Sequence, residues 1–152
     1  MTMIRPFMPA DMNAVLNIWL EASIQAHDFV NSDFWHSKLN LMQEVYIPSS
    51  ETYVYEDAEG IKGFFSLYNN TLAAIFVNPS DQGSGIGQQL LLKAKSLRNK
   101  LDLTVYRDNK KSIKFYQQND FTTIKEQIDK HTGMIEILMT YNPTDDTRLT
   151  KN

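Results

Sequence analysis

The run Gln82-Gly83-Ser84-Gly85-Ile86-Gly87 has the composition of a turn that holds an anion on bare backbone. Its glycines permit backbone angles closed to other residues and let a ligand approach the main chain. The apolar segment Leu72 to Val77 leads into it, and Pro79 stops that segment from continuing as a ladder donor. A helix opening near Ser84 presents N–H groups with no internal partner, at the positive end of its dipole. Such an end suits a phosphate or pyrophosphate.

Two common phosphate patterns fail on residue grounds. A P-loop ends in Gly-Lys-Ser/Thr, but Gly87 is followed by Gln88. The dinucleotide fingerprint G-x-G-x-x-G, started at Gly83 and Gly85, puts Gln88 where its third glycine belongs. Asp102 lies near the position of a ribose-binding carboxylate. The turn, however, follows antiparallel strands instead of opening a βαβ unit, so that spacing is treated as coincidence.

Gln82-x-x-Gly85-x-Gly87 resembles the pyrophosphate-binding motif of the GNAT superfamily of acetyl-CoA-dependent N-acetyltransferases, in its small bacterial single-domain form. The preceding Ile75-Phe76-Val77 and the downstream Asn109-x-x-Ser112-x-x-Phe115-Tyr116 resemble the other two pieces of the same site. The resemblance implies acetyl-CoA as donor, with CoA as product, held by Ile75, Phe76, Val77, Gln82, Gly83, Ser84, Gly85, Ile86, Gly87, Gln88, Asn109, Ser112 and Phe115. It implies a pantetheine arm paired with strand backbone beside Ile75 to Val77, where the Val77 N–H, or a neighbour, polarises the thioester carbonyl. It makes Tyr116 the general acid that protonates the departing thiolate after direct attack by a primary amine. One departure stands out. Asp120-Phe121 replaces the family's usual Gly-Phe, and Asn119-Asp120 are residues that tolerate the left-handed turn this glycine serves.

The elements that must position these residues follow from hydrophobic period. Met3 to Arg5 reads as an edge strand limited by Pro6 and Pro9. Asp11 is placed to cap a helix from Met12 to about His27, with Met12, Val15, Leu16, Trp19 and Leu20 at helical spacing. A second helix is expected from Asp33 to about Val45, closed by Pro48 and Ser49-Ser50. Tyr53 to Tyr55, Ile61 to Tyr68 and Leu72 to Val77 read as an antiparallel meander. The last of these, apolar throughout, is expected to be central and covered on both faces. Then come a helix from Ser84 to about Arg98, a strand from Leu101 to Val105, a short helix from Asn109 to Gln118, and strands over Phe121 to Ile128 and Met134 to Thr140. The order gives an α+β fold: with the resemblance, a GNAT-like, mostly antiparallel twisted sheet of about six or seven strands flanked by about four helices. Residues 1–141 are expected to form one acetyltransferase domain, and 142–152 a polar tail.

Composition bounds the rest. The chain has 152 residues, 42% hydrophobic and 22% charged, enough for one domain with a real core. A net charge of −3 argues against a general nucleic-acid binder. The absence of cysteine excludes thiol nucleophiles and fits a reducing, cytoplasmic setting. No apolar run is long enough for a membrane span, no leader-like segment opens the chain, and no acid or histidine spacing suggests a metal site. The acceptor side is expected in the N-terminal helical third, with Trp19, Glu21, His27 and Trp35 as pocket candidates. His27, His36, Glu21 and Glu44 are general-base candidates, none singled out. An exposed sheet edge leaves a homodimer open. A catalytically silent acyl-CoA-binding module is the alternative of a different class.

Overall fold

A computed structural model describes residues 2–143, which fall into two compact units divided between Ala94 and Lys95. Of the expected polar tail 142–152, residues 144–152 lie outside the described residues.

The first unit opens with β1 (Met3–Pro6), a 3-10 turn (Pro9–Asp11) and helix α1 (Met12–Ala26). Asp11 does not cap α1 with its side chain as expected. Its carboxylate instead accepts from the Arg5 guanidinium at 2.8 and 3.0 Å and from the Met8 N–H at 2.8 Å. Hydrogen bonding from Arg5 outweighs burial and holds the Asp11 carboxyl below its usual range. The chain entering α1 is thereby tied to β1.

The expected second helix is broken and longer. It runs as α2 (Ser32–Ser37), α3 (Leu39–Leu41), a π-helical stretch (Met42–Tyr46) and α4 (Ile47–Ser49). Pro48 falls in the first turn of α4, just after the π-helical stretch, where its missing N–H is tolerated. The Ser50 hydroxyl closes the run by donating to the Tyr46 carbonyl at 2.7 Å.

Then come β2 (Glu51–Asp57), β3 (Gly60–Tyr68), β4 (Thr71–Val77), a second 3-10 turn (Pro79–Asp81) and α5 (Ile86–Leu97), within which the unit boundary falls. The strands lie in the order β1-β2-β3-β4, every pair antiparallel. Phe64 pairs with Val54 on one side and Phe76 on the other. Helix α1 packs on β3 and β4. The strand covered on both faces is β3, buried from Gly63 to Leu67, and not β4, where only Leu72 is buried and Ala74 to Val77 are half-exposed. An apolar run marks a strand; which strand is covered depends on where the helices cross it.

The second unit contains β5 (Leu101–Tyr106), α6 (Lys110–Gln118), β6 (Thr122–Ile128) and β7 (Ile135–Tyr141), with β7 paired antiparallel to both β5 and β6. Leu101, Leu103, Phe121 and Met139 form its buried centre. With seven strands among the described residues and helices between them, the α+β class is as the sequence implies. No helix among the described residues is long and apolar enough to cross a membrane.

Gly63 carries a requirement that its sequence context hides. A Cβ there would lie 2.9 Å from the Phe76 carbonyl oxygen and 3.0 Å from Leu90 Cδ1. Gly63→Ala is therefore expected to destabilise the protein by about 2 kcal/mol through overpacking, read as a lower midpoint in urea denaturation.

Candidate active site

The backbone at the end of β4 is set by strand alternation. The Asn78 N–H donates to the Lys62 carbonyl of the β3 side at 2.8 Å. Successive residues of a strand point their hydrogen-bonding groups to opposite sides, so the N–H and carbonyl of Val77 face away from β3. The Val77 carbonyl accepts from Gln82 Nε2 at 3.2 Å, which folds the start of the glycine turn back onto the strand. Ser84 Oγ donates to the Asp81 carbonyl at 2.6 Å and tightens the turn further.

Gly83 and Gly85 hold φ of +84° and +89°, in the left-handed region that favours glycine. Nothing lies within 4 Å of where their Cβ atoms would stand, so backbone angle and not crowding demands glycine here. Because Gly85 is not helical, α5 starts at Ile86, two residues later than expected. The Gln89 N–H bonds the Gly85 carbonyl at 3.1 Å as the first turn closes. Helix geometry then gives the N–H groups of Ile86 and Gly87 no acceptor within α5. The Ile86 side chain is buried, so only its backbone is available to a ligand, while Gln82 to Gly85 and Gln88 are exposed. Asp81, whose charge is unfavourable beside an anion, lies 3.6 Å from Lys62 Nζ.

In the second unit, Asn109 caps α6: its side-chain oxygen accepts from the Ser112 N–H at 3.3 Å. Ser112 and Phe115 are half-buried. The Tyr116 ring lies between Phe115, at 5.4 Å between centroids, and Phe121, at 5.6 Å. Desolvation pushes the Tyr116 phenol above its usual range, so it carries its proton at neutral pH. Its position is fixed by how α6 ends. Asp120 takes φ +73°, the Phe121 N–H bonds the Tyr116 carbonyl at 3.0 Å, and the Asp120 N–H bonds the Gln117 carbonyl at 3.3 Å. This is the Schellman arrangement, with aspartate in the glycine position and the accompanying apolar contact made by Phe121 on Tyr116. The departure from Gly-Phe is thus accommodated in place.

In the helical part of the first unit, three of the four acceptor-pocket candidates come together. The Trp35 ring stands 5.9 Å from Trp19, edge to face, and 5.0 Å from His27, and all three are buried. Glu21, the fourth, is exposed, as are His36 and Glu44. Burial lowers His27 to about 4 against a weaker opposing hydrogen bond with the Ser23 backbone. It is therefore neutral at the end of α1 and adds no charge to the helix dipole there. It is also a weak base. The sequence reading missed Lys95, half-buried near the end of α5, whose Nζ donates to the Asn119 carbonyl at 2.6 Å.

Residues 48–123 match the family model of the acetyltransferase (GNAT) domain. The chain is 32% identical over 120 residues to the peptidyl-lysine N-acetyltransferase YiaC of Escherichia coli K12, covering 78% of this chain and 82% of that protein. Among solved structures it is similar to apo YjaB from Escherichia coli, with a TM-score of 0.82 at 21% identity over 93% of this chain and 97% of that one. It is also similar to the PaiA N-acetyltransferase of Thermoplasma acidophilum in complex with coenzyme A, with a TM-score of 0.77 at 16% identity, covering 93% and 99%.

The neutral, buried His27 has a consequence for pH. The unfolded chain binds a proton near pH 6.5, the folded chain only near 4, so stability falls as pH drops through that window. The loss at pH 4 is expected to approach about 3 kcal/mol, and His27→Gln should flatten the slope between pH 6.5 and 4 in denaturant titrations. Asp11, whose carboxyl is held low, releases its contribution only below that window.

Proposed function

The chain belongs to the GNAT family and is an N-acetyltransferase, and from that premise we propose that it moves acetyl from acetyl-CoA to the ε-amine of a polypeptide lysine by direct attack, with Tyr116 as general acid. The observation that carries the donor half is the glycine turn: two left-handed glycines opening α5, beside a strand end whose backbone faces outward. The exposed turn and the N–H groups of Ile86 and Gly87 fit a pyrophosphate, and the outward backbone of Ile75 and Val77 fits an amide-bearing arm.

The donor supplies an acetyl group activated as a thioester. The protein's own part is to hold and to move protons. The Val77 N–H is the donor proposed for the negative charge that develops on the thioester carbonyl oxygen as the amine attacks. Tyr116, kept protonated by its surroundings, gives its phenolic proton to the departing sulfur. Asn109, Ser112 and Phe115 complete the proposed donor contacts, with Asn109 also capping α6. The ε-amine loses one proton to water before it attacks and a second as the amide forms, which leaves by water and restores the Tyr116 phenol; no histidine or carboxylate is assigned as base.

Charge supports a cationic acceptor. Residues 1–60 carry nine acidic side chains against Arg5 and Lys38, a formal −7, which the total of −3 leaves balanced by +4 on residues 61–152. Asp11 and Glu56 pair with Arg5. Glu21, Asp28, Asp33 and Glu44 are exposed on the helical stretch and make no ion pair among the described residues. Such a surface raises the local concentration of a basic segment. Relatives named peptidyl-lysine N-acetyltransferases support the choice of a lysine amine.

Two measurements test this. In a thermal-shift panel, acetyl-CoA or CoA at about 100 times its dissociation constant should add roughly 2.7 kcal/mol of stability, and ATP or NAD should add much less. No shift with either CoA species would sink the donor assignment. With acetyl-CoA and an N-terminally blocked peptide holding one lysine among basic residues, Tyr116→Phe should lower kcat by about 100-fold and leave the acetyl-CoA shift intact. Binding without acetylation of any amine would identify a silent acyl-CoA module instead.

A further inference from the structure

The Lys95 side chain is placed unlike an ordinary surface lysine. Its Nζ donates to the Asn119 carbonyl at 2.6 Å, where α6 turns into its left-handed cap. The same ammonium stands 4.3 Å from the Tyr141 ring centroid and 5.9 Å from that of Phe121. Phe121 is 2% exposed and packs on Tyr141 at 5.7 Å and on Tyr116 at 5.6 Å. Asn119 is itself buried and donates from Nδ2 to the Phe115 carbonyl at 2.8 Å. One cation thus meets a carbonyl at the negative end of α6, where a positive charge is favourable, and two ring faces, where it is also favourable.

We propose that Lys95 is a positioning residue for Tyr116: by gripping the Asn119 carbonyl and the Phe121–Tyr141 ring pair it locks the end of α6, and with it the ring that donates the proton. The proposal rests on the assignment of Tyr116 as general acid. It acts on where the phenol stands and not on its charge. The lock matters because Asp120 occupies the left-handed position with a side chain, which costs more than glycine there and leaves the motif to gain support from outside its own two hydrogen bonds. A proton donor displaced by about 1 Å loses rate steeply, so a cap that opens on its own is a poor support.

The test combines a local probe with a rate comparison. Lys95→Met keeps the stem and removes the charge and the donor. Hydrogen exchange of the Phe121 amide, which bonds the Tyr116 carbonyl, should speed up about tenfold or more, while core amides of β2 and β3 stay as in the parent. With acetyl-CoA and the blocked single-lysine peptide, kcat should fall about tenfold with KM for acetyl-CoA nearly unchanged, and Lys95→Arg should recover most of the rate. In a Tyr116→Phe background the same Lys95→Met change should lower kcat by less than about twofold, because the group it positions is gone.

A Tyr116→Phe enzyme as fast as the parent overturns the general-acid assignment, and the proposal with it. A slow Tyr116→Phe enzyme in which Lys95→Met still exerts its full factor overturns the proposal alone, as does unchanged exchange at the Phe121 amide. Should Lys95→Met fail to fold, Tyr141→Leu, which removes the nearer ring under Nζ, carries the same comparison.

Discussion

The alternation of hydrogen-bonding direction along β4 is the constraint on which the donor side depends. Once Asn78 gives its N–H to Lys62, Val77 must face the other way. Its carbonyl is then satisfied by Gln82, from within the same turn. Its N–H faces the same outward side. The chain has only the residues between Asn78 and Ile86 in which to leave this strand and start α5. A 3-10 turn and two left-handed glycines accomplish that reversal. The geometry that makes the turn short also exposes its backbone, so the proposed binding surface and the chain reversal are one feature.

Helix α6 solves the opposite problem. At its C-terminal end the carbonyls need partners, and under the proposed mechanism that end must also hold one ring in place. The Schellman bonds to Tyr116 and Gln117 satisfy two carbonyls, and Lys95 takes that of Asn119. Phe121 is both the residue whose N–H closes the motif and the ring that packs on Tyr116. Backbone closure and ring placement are therefore coupled. Substituting aspartate for glycine at the turn does not abolish the motif, because the αL cost of Asp is modest and is spread over several favourable contacts.

What was legible in the sequence follows from which constraints leave a residue signature. Gly83 and Gly85 were legible because a non-glycine residue at φ near +85° is strained whatever surrounds it. The cap made by Asn109 has a local signature, because its residue type and its place before a helix suit one. Gly63 was not, because its need arises from the approach of Phe76 and Leu90, distant in sequence. The same holds for β3 being the covered strand in place of β4, and for Asp11 answering Arg5 rather than α1. Trp19, His27 and Trp35 could be nominated as aromatic residues of one helical region, but their contact, and the burial that holds His27 neutral, belong to tertiary packing.

The same distinction separates the two proposed substrates. A pyrophosphate is recognised by main-chain N–H groups at a required backbone angle, and such recognition writes glycines into the chain at fixed spacing. A cationic acceptor is favoured by the field of exposed carboxylates, whose effect depends on their number and exposure far more than on their order. Glu21, Asp28, Asp33 and Glu44 accordingly follow no motif, and each taken alone is an ordinary solvated side chain. Their meaning comes from the scarcity of opposing charge: Lys38 is the one lysine or arginine between Arg5 and Lys62, and its ammonium stands 5.4 Å from the Phe34 ring centroid. The donor half can therefore be read position by position. The acceptor half becomes readable only when charge is summed over the elements that carry it.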